Sequence, residues 1–91
     1  MTASHQVALV AGASRGLGLL VAKELLSRDF DVAVCARDAA ELARAREMLS
    51  PFGTVRDYVC DVAEADQVEA LVRDVERDLG PVDVLITVAG I

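Results

Sequence analysis

Apolar segments of two kinds alternate along the whole chain, and this alternation constrains the fold more than any other feature of the sequence. Short valine-rich runs, which are typical of buried strands, occur four times: Gln6–Ala11, Phe30–Ala36, Thr54–Cys60 and Val82–Val88. Segments with helical spacing of apolar residues separate them: Leu17–Arg28, a helix that begins after Asp38, and residues 64–79. Because every connection can hold a helix, the pattern predicts parallel strands joined by right-handed crossovers. The predicted fold class is α/β, a doubly wound parallel sheet in the order βαβαβαβ.

Three of these elements carry more specific signals. Asp38 and Glu41 have the spacing of a capping box, in which Asp38 accepts from the amide of Glu41 and Glu41 reaches back. The third strand is the most polar, which predicts a place near the edge of the sheet. The first helix has apolar residues at helical spacing, so we expect its buried face to consist of Leu17, Leu20, Val21 and Leu25.

Composition excludes several classes of protein. The 91 residues include 54% apolar residues, which favours one folded domain or a piece of a larger one over a disordered chain. Fifteen acidic and nine basic residues leave a net charge of −6, the wrong sign for a nucleic-acid binder. No apolar run reaches the ~18 residues of a membrane span, and the start does not resemble a secretory signal. Cys35 and Cys60 lack metal-ligand spacing, so we expect no metal site and two buried free thiols in a cytoplasmic protein rather than a disulfide.

A glycine turn joins the first strand to the first helix. Gly12, Gly16 and Gly18 are spaced G-x-x-x-G-x-G. Such glycines allow a sharp turn, a close approach of the backbone to a pyrophosphate, and tight packing of helix on strand, while the helix N-terminus offers free amides. No Gly-Lys-Ser/Thr follows, so the turn is not a nucleoside-triphosphate loop. The alternative is a tight turn that binds nothing, but its position after a strand favours a ligand.

Three motifs, in order along the chain, resemble those of the short-chain dehydrogenases/reductases. Residues 11–18 (A-G-A-S-R-G-L-G) are similar to the family's Thr-Gly-x-x-x-Gly-x-Gly turn, residues 60–62 (C-D-V) to its Asp-Val, and residues 87–90 (T-V-A-G) to its Asn-Asn-Ala-Gly. Ala11 and Thr87 depart from the family's Thr and Asn. The resemblance implies that residues 1–91 are an NAD(P)-binding, Rossmann-like domain. It also implies that they are the N-terminal part of a longer domain, incomplete at the C-terminal side.

The resemblance also implies which residues bind the coenzyme. The glycine turn is expected to hold the phosphates, Arg37 a 2′-phosphate, the Asp-Val pair the adenine, and the last motif the nicotinamide-side ribose. The expected cofactor-binding residues are Gly12, Ser14, Arg15, Gly16, Leu17, Gly18, Arg37, Asp61, Val62, Ala89 and Gly90.

The residues after the second strand favour NADP over NAD. Small Ala36 is followed by Arg37, and Arg15 of the glycine turn can reach the same pocket, so two guanidiniums can flank a 2′-phosphate. In the alternative, Arg37 is solvated and Asp38 binds a ribose hydroxyl, as in an NAD enzyme. NADP(H) is the prediction, because the capping box already occupies Asp38.

The family's catalytic Ser and Tyr-x-x-x-Lys lie later in the chain than these residues. Tyr58 is followed four residues on by Val62, and the sole lysine, Lys23, precedes it, so no catalytic residue is predicted here. The resemblance implies an NAD(P)(H)-dependent oxidoreductase that interconverts a carbonyl and an alcohol on a small-molecule substrate. It implies a homo-oligomer for the full-length protein, of which this chain is the inactive coenzyme-binding half. The alternatives are a non-catalytic dinucleotide-binding module or truncated relic, and an interaction domain with an empty turn.

Overall fold

The computed structural model describes residues 6–88, which form a parallel sheet of four strands in the order β3-β2-β1-β4. A short 3₁₀ turn at Ser50–Phe52 follows the second helix. The elements are β1 Val7–Ala11, α1 Gly16–Ser27, β2 Asp31–Ala36, α2 Ala39–Leu49, β3 Val55–Val59, α3 Ala65–Asp78 and β4 Val84–Thr87. The predicted fold class and the order βαβαβαβ are confirmed, as is the position of β3 at an edge of the sheet. The predicted bounds differ by one or two residues at most element ends, where strands and helices fray.

Helices cover both faces of the sheet, as expected of a doubly wound fold. Every residue of β1 and the central four of β2 are buried, which is why both strands are almost wholly apolar. Alternate residues of these strands point to opposite faces. One core cluster contains Val10 and Val34 and packs against α1 and α2. The other contains Leu9 and Cys35 and packs against α3.

The predicted buried face of α1 is wrong in half of its residues. Leu17 and Leu20 are 61% and 64% exposed, and the buried residues are Gly18, Ala22 and Leu26. The buried line therefore runs through Gly18, Ala22 and Leu26, because α1 packs so closely on the glycine turn that no side chain fits at Gly18. Close backbone contact, rather than apolar spacing, decided which face is buried.

The predicted cap of α2 is half confirmed. The side chain of Asp38 accepts a hydrogen bond from the amide of Glu41 at 3.0 Å. Glu41 does not reach back to Asp38; its carboxylate instead accepts from Ser14 Oγ of the β1–α1 turn at 3.1 Å. A tertiary partner has replaced the local one.

The remaining helix agrees with its prediction. Leu71 and Val75 of α3 are buried, and the helix ends before Gly80, whose φ is +117°.

The hydroxyl of half-buried Tyr58 on β3 donates a hydrogen bond of 2.8 Å to Asp78 at the end of α3, which ties the edge strand to this helix. Burial and this hydrogen bond raise the pKa of the Tyr58 phenol. Among residues 6–88, no helix has the length and apolar content that crossing a bilayer requires.

Candidate functional site

An open cleft of about 1260 Å³ lies at the carboxyl ends of the parallel strands. Clefts in open α/β sheets form at this end, where the crossover connections diverge. The β1–α1 turn forms part of the cleft wall, and residues that follow β2, β3 and β4 form the rest. Most of the predicted site residues meet here: Gly12, Ser14, Arg15, Gly16, Leu17, Arg37, Asp61 and Val62.

Two of the three glycines are required by contacts with the backbone. Gly12 has a φ of +83°, and a Cβ there would lie 2.7 Å from the carbonyl oxygen of Val88. A Cβ at Gly18 would clash with the carbonyl oxygen of Gly12. Gly16 differs: its φ is +62°, but apart from its chain neighbours and the backbone of its own helix nothing lies within 4 Å of the position of a Cβ. The backbone of Gly16 is therefore open to a ligand, so the turn fits the cradle of a dinucleotide.

The first turn of α1 has no side-chain cap. Arg15 is the N-cap residue and makes no capping hydrogen bond. The amides of Gly12 and Ala13 donate hydrogen bonds to the carbonyl of Cys35, at 3.0 and 3.5 Å, but both residues precede the helix. The first amides of a helix have no intrahelical acceptor and carry a partial positive charge. This end of the cleft is therefore suited to an anion.

Two arginines add positive charge to the rim of the cleft. The side chain of Arg15 is 84% exposed, and Arg37 is also exposed. Within residues 6–88, Arg37 makes no ion pair, so its guanidinium can bind a ligand phosphate. Asp38 also lines the cleft, but one of its carboxylate oxygens is used by the amide of Glu41.

The other predicted positions have mixed outcomes. Asp61 lines the cleft, but its side chain already accepts a hydrogen bond from the amide of Ala63 at 3.0 Å. Val62 lies on the surface of the cleft and is 54% exposed. Gly18 packs under the turn instead of lining the cleft. Ala89 and Gly90 lie outside the described residues.

Several further residues line the cleft that were not predicted to bind the coenzyme, among them Glu41, Cys35 and Cys60. Glu41 lines the cleft and was assigned only to the helix cap, while Cys35 and Cys60 were treated only as core thiols. The two cysteines end or follow a strand on the cleft side, which is the signal that could have identified them, whereas Glu41 lies in the first turn of α2. Burial raises the pKa of Cys35 to about 11, with a further contribution from Cys60 and an opposing one from the amide of Gly12. Burial also raises the pKa of the Cys60 thiol, so both thiols are neutral and neither is activated as a nucleophile.

A profile of the family described as short chain dehydrogenase matches residues 6–91. The chain belongs to this family. Gluconate 5-dehydrogenase of Gluconobacter oxydans is 42% identical over 85 residues, which are 92% of this chain and 33% of that protein. Membership of the short-chain dehydrogenases makes this an oxidoreductase-family chain, as the three sequence motifs predicted.

Solved structures of other short-chain dehydrogenases have the same fold. An actinorhodin polyketide ketoreductase crystallised with NADPH is 40% identical with a TM-score of 0.91, covering 96% of this chain and 34% of that one. A xylitol dehydrogenase bound to NAD⁺ is 31% identical, also with a TM-score of 0.91, covering 97% of this chain and 34% of that one. The chain therefore spans about a third of the length of these proteins, and both nicotinamide coenzymes occur among the related structures.

Proposed function

We propose that this chain is the coenzyme-binding part of an NADP(H)-dependent oxidoreductase that interconverts a carbonyl and an alcohol. The observation that carries the proposal is the juxtaposition of the uncapped α1 N-terminus, the open backbone of Gly16, and two exposed arginines in one cleft. The ketoreductase with NADPH and the dehydrogenase with NAD⁺ support a nicotinamide dinucleotide as the ligand.

In this proposal each group of residues binds a different part of the coenzyme. The turn from Gly12 to Leu17 binds the two bridging phosphates through its amides and the hydroxyl of Ser14. Arg15 and Arg37 bind the 2′-phosphate, which makes NADP(H) preferred over NAD(H). Asp61 and Val62 bind the adenine, and residues 89–90 lie beside the nicotinamide-side ribose. When bound, the coenzyme supplies or accepts the hydride.

The catalytic residues are proposed to lie outside these 91 residues. The family's catalytic Ser and Tyr-x-x-x-Lys do not occur in this sequence in the expected arrangement, so the segment alone is expected to bind coenzyme without turning it over. The substrate is a small carbonyl or alcohol compound, and the full-length protein is a cytoplasmic homo-oligomer. The second candidate is a non-catalytic dinucleotide-binding module, and a Ser and Tyr-x-x-x-Lys farther along the chain would exclude it.

Substitution of Arg37 tests the coenzyme preference. A guanidinium–phosphate pair contributes about 1.5–3 kcal/mol, so Arg37→Ala is expected to weaken NADPH binding by about 10- to 100-fold. NADH has no 2′-phosphate, so its dissociation constant is expected to change by about twofold at most. Calorimetric titration of both coenzymes into the full-length protein measures these values.

Arg44→Ala is the matched control, because Arg44 is exposed on α2 and does not line the cleft. We expect it to leave both dissociation constants unchanged. A wild-type protein that binds NADH as tightly as NADPH, with neither affinity altered in Arg37→Ala, contradicts the NADP preference. A protein whose melting temperature neither coenzyme raises contradicts the proposed function itself.

A further inference from the structure

Glu41 connects the start of α2 to the β1–α1 turn at the rim of the cleft. Its Oε1 atom accepts a hydrogen bond from Ser14 Oγ at 3.1 Å and lies 3.7 Å from Nε of Arg15. The side chain of Glu41 is 28% exposed, so this carboxylate is partly shielded from water. Ser14 and Arg15 belong to the β1–α1 turn, whereas Glu41 belongs to the first turn of α2. One carboxylate therefore engages two groups that the proposed function assigns to the coenzyme.

The contact changes the charge that a ligand meets at this rim. Arg15 and Arg37 supply two positive charges, and Asp38 and Glu41 supply two negative ones. One oxygen of Asp38 already accepts from the helix amide. The ion pair with Glu41 compensates the charge of Arg15, so Arg37 is the cation of this rim that has no carboxylate partner in the described part of the chain. The pair of arginines is therefore a weaker dianion site than its sequence indicates.

We propose that Glu41 is a specificity-determining residue that lowers the preference of this cleft for NADP(H) over NAD(H). The inference rests on the proposed function. A phosphate monoester carries about −1.5 to −2 charges at neutral pH and is repelled by a carboxylate that lies beside its arginine. A 2′-hydroxyl carries no charge and can donate a hydrogen bond to the same carboxylate. Both coenzymes carry the bridging phosphates beside Ser14, so repulsion of those phosphates cancels in the comparison, and Glu41 lowers the preference through the 2′-phosphate.

A purely structural role for Glu41 predicts a different result. If its only function is to join the β1–α1 turn to α2, removal of its charge affects both coenzymes equally. Glu41→Gln separates the two roles, because the amide oxygen of glutamine still accepts from Ser14 Oγ while the negative charge is lost. Glu47→Gln is the matched control, since Glu47 lies on the same helix, is exposed, and does not line the cleft.

The experiment measures dissociation constants of NADPH and NADH for the full-length wild-type protein and both variants, at low salt and at 0.5 M NaCl. We expect Glu41→Gln at low salt to tighten NADPH binding by about five- to twentyfold more than it tightens NADH binding. The gain is expected to shrink at high salt, where charges on the rim are screened. Glu47→Gln is expected to change neither constant.

The outcomes separate this inference from the proposed function. A wild-type protein that binds neither coenzyme overturns the proposed function and this inference with it. A wild-type protein that binds NADPH, together with a Glu41→Gln variant that binds it equally or less tightly, overturns the role of Glu41 and leaves the proposed function standing. Equal tightening of NADPH and NADH also overturns it, because repulsion of a 2′-phosphate cannot act on NADH.

Discussion

The three glycines of the β1–α1 turn are constrained by different contacts. Gly12 combines a positive φ with the carbonyl of Val88, and Gly18 packs against the carbonyl of Gly12. Gly16 has a positive φ and open space. At the residue scale, the stability of the turn and the access of a ligand are therefore assigned to different glycines, although their spacing in the sequence treats them alike.

Alanine substitutions distinguish these two roles. Gly18→Ala places a methyl group against a backbone carbonyl that cannot rotate away, and we expect it to lower the free energy of unfolding by about 3 kcal/mol. Gly16→Ala is expected to cost only about 1 kcal/mol, from its positive φ, but to weaken NADPH binding at least tenfold. Urea denaturation and coenzyme titration of the full-length protein measure both effects. Equal losses of stability in the two variants would contradict this division.

At the scale of the elements, the sequence predicted helices α1 and α2, but contacts with neighbouring elements changed which residues of α1 are buried and which side chains cap α2. The apolar spacing of α1 predicted a buried face of three leucines and a valine, but the close contact at Gly18 buries Gly18, Ala22 and Leu26 instead. The capping box of α2 kept Asp38 as the cap and lost Glu41 to the neighbouring turn. Local propensity thus predicted where each helix lies, while its neighbours decided how each side chain is used.

The cap of α2 can be tested apart from the coenzyme. Asp38→Ala removes the acceptor for the amide of Glu41 and is expected to lower the free energy of unfolding by about 1 kcal/mol. Asp38→Asn keeps an acceptor oxygen and is expected to stay within a few tenths of a kcal/mol of the wild type. Thermal and urea denaturation of the full-length protein measure both. If Asp38→Asn instead weakens NADH binding tenfold with no loss of stability, Asp38 binds a ribose hydroxyl, and the NAD alternative gains support.

At the scale of the molecule, the described sheet has an apolar edge. β4 pairs only with β1 among the described strands, and Leu85 on it is 63% exposed. Val84 and Ile86 are half-buried, so neither face of this strand is fully covered. A flat apolar edge strand with free backbone groups pairs readily with another strand. We therefore expect further sheet to cover β4 in the full-length protein.

The 91-residue segment expressed alone is expected to self-associate through this edge. Sedimentation velocity should give species larger than a monomer, and Leu85→Lys should reduce their proportion because an edge lysine opposes strand pairing. Leu20→Lys is the control, since Leu20 is equally exposed, at 64%, but lies on α1 away from β4. A monomeric segment with a cooperative thermal transition would contradict the expectation.

Local patterns in the sequence are enough to predict the order of the elements, the parallel sheet, and the glycine turn that opens the cleft. These follow from apolar periodicity and from residues without a Cβ, and both act over a few neighbouring positions. Packing in three dimensions, by contrast, places Gly18 against the backbone of the turn, buries Ala22 and Leu26 of α1, and pairs Glu41 with the β1–α1 turn. Ser14 and Glu41 are 27 residues apart, and a contact between them depends on how two crossovers pack on one sheet. No local pattern in the chain encodes that geometry.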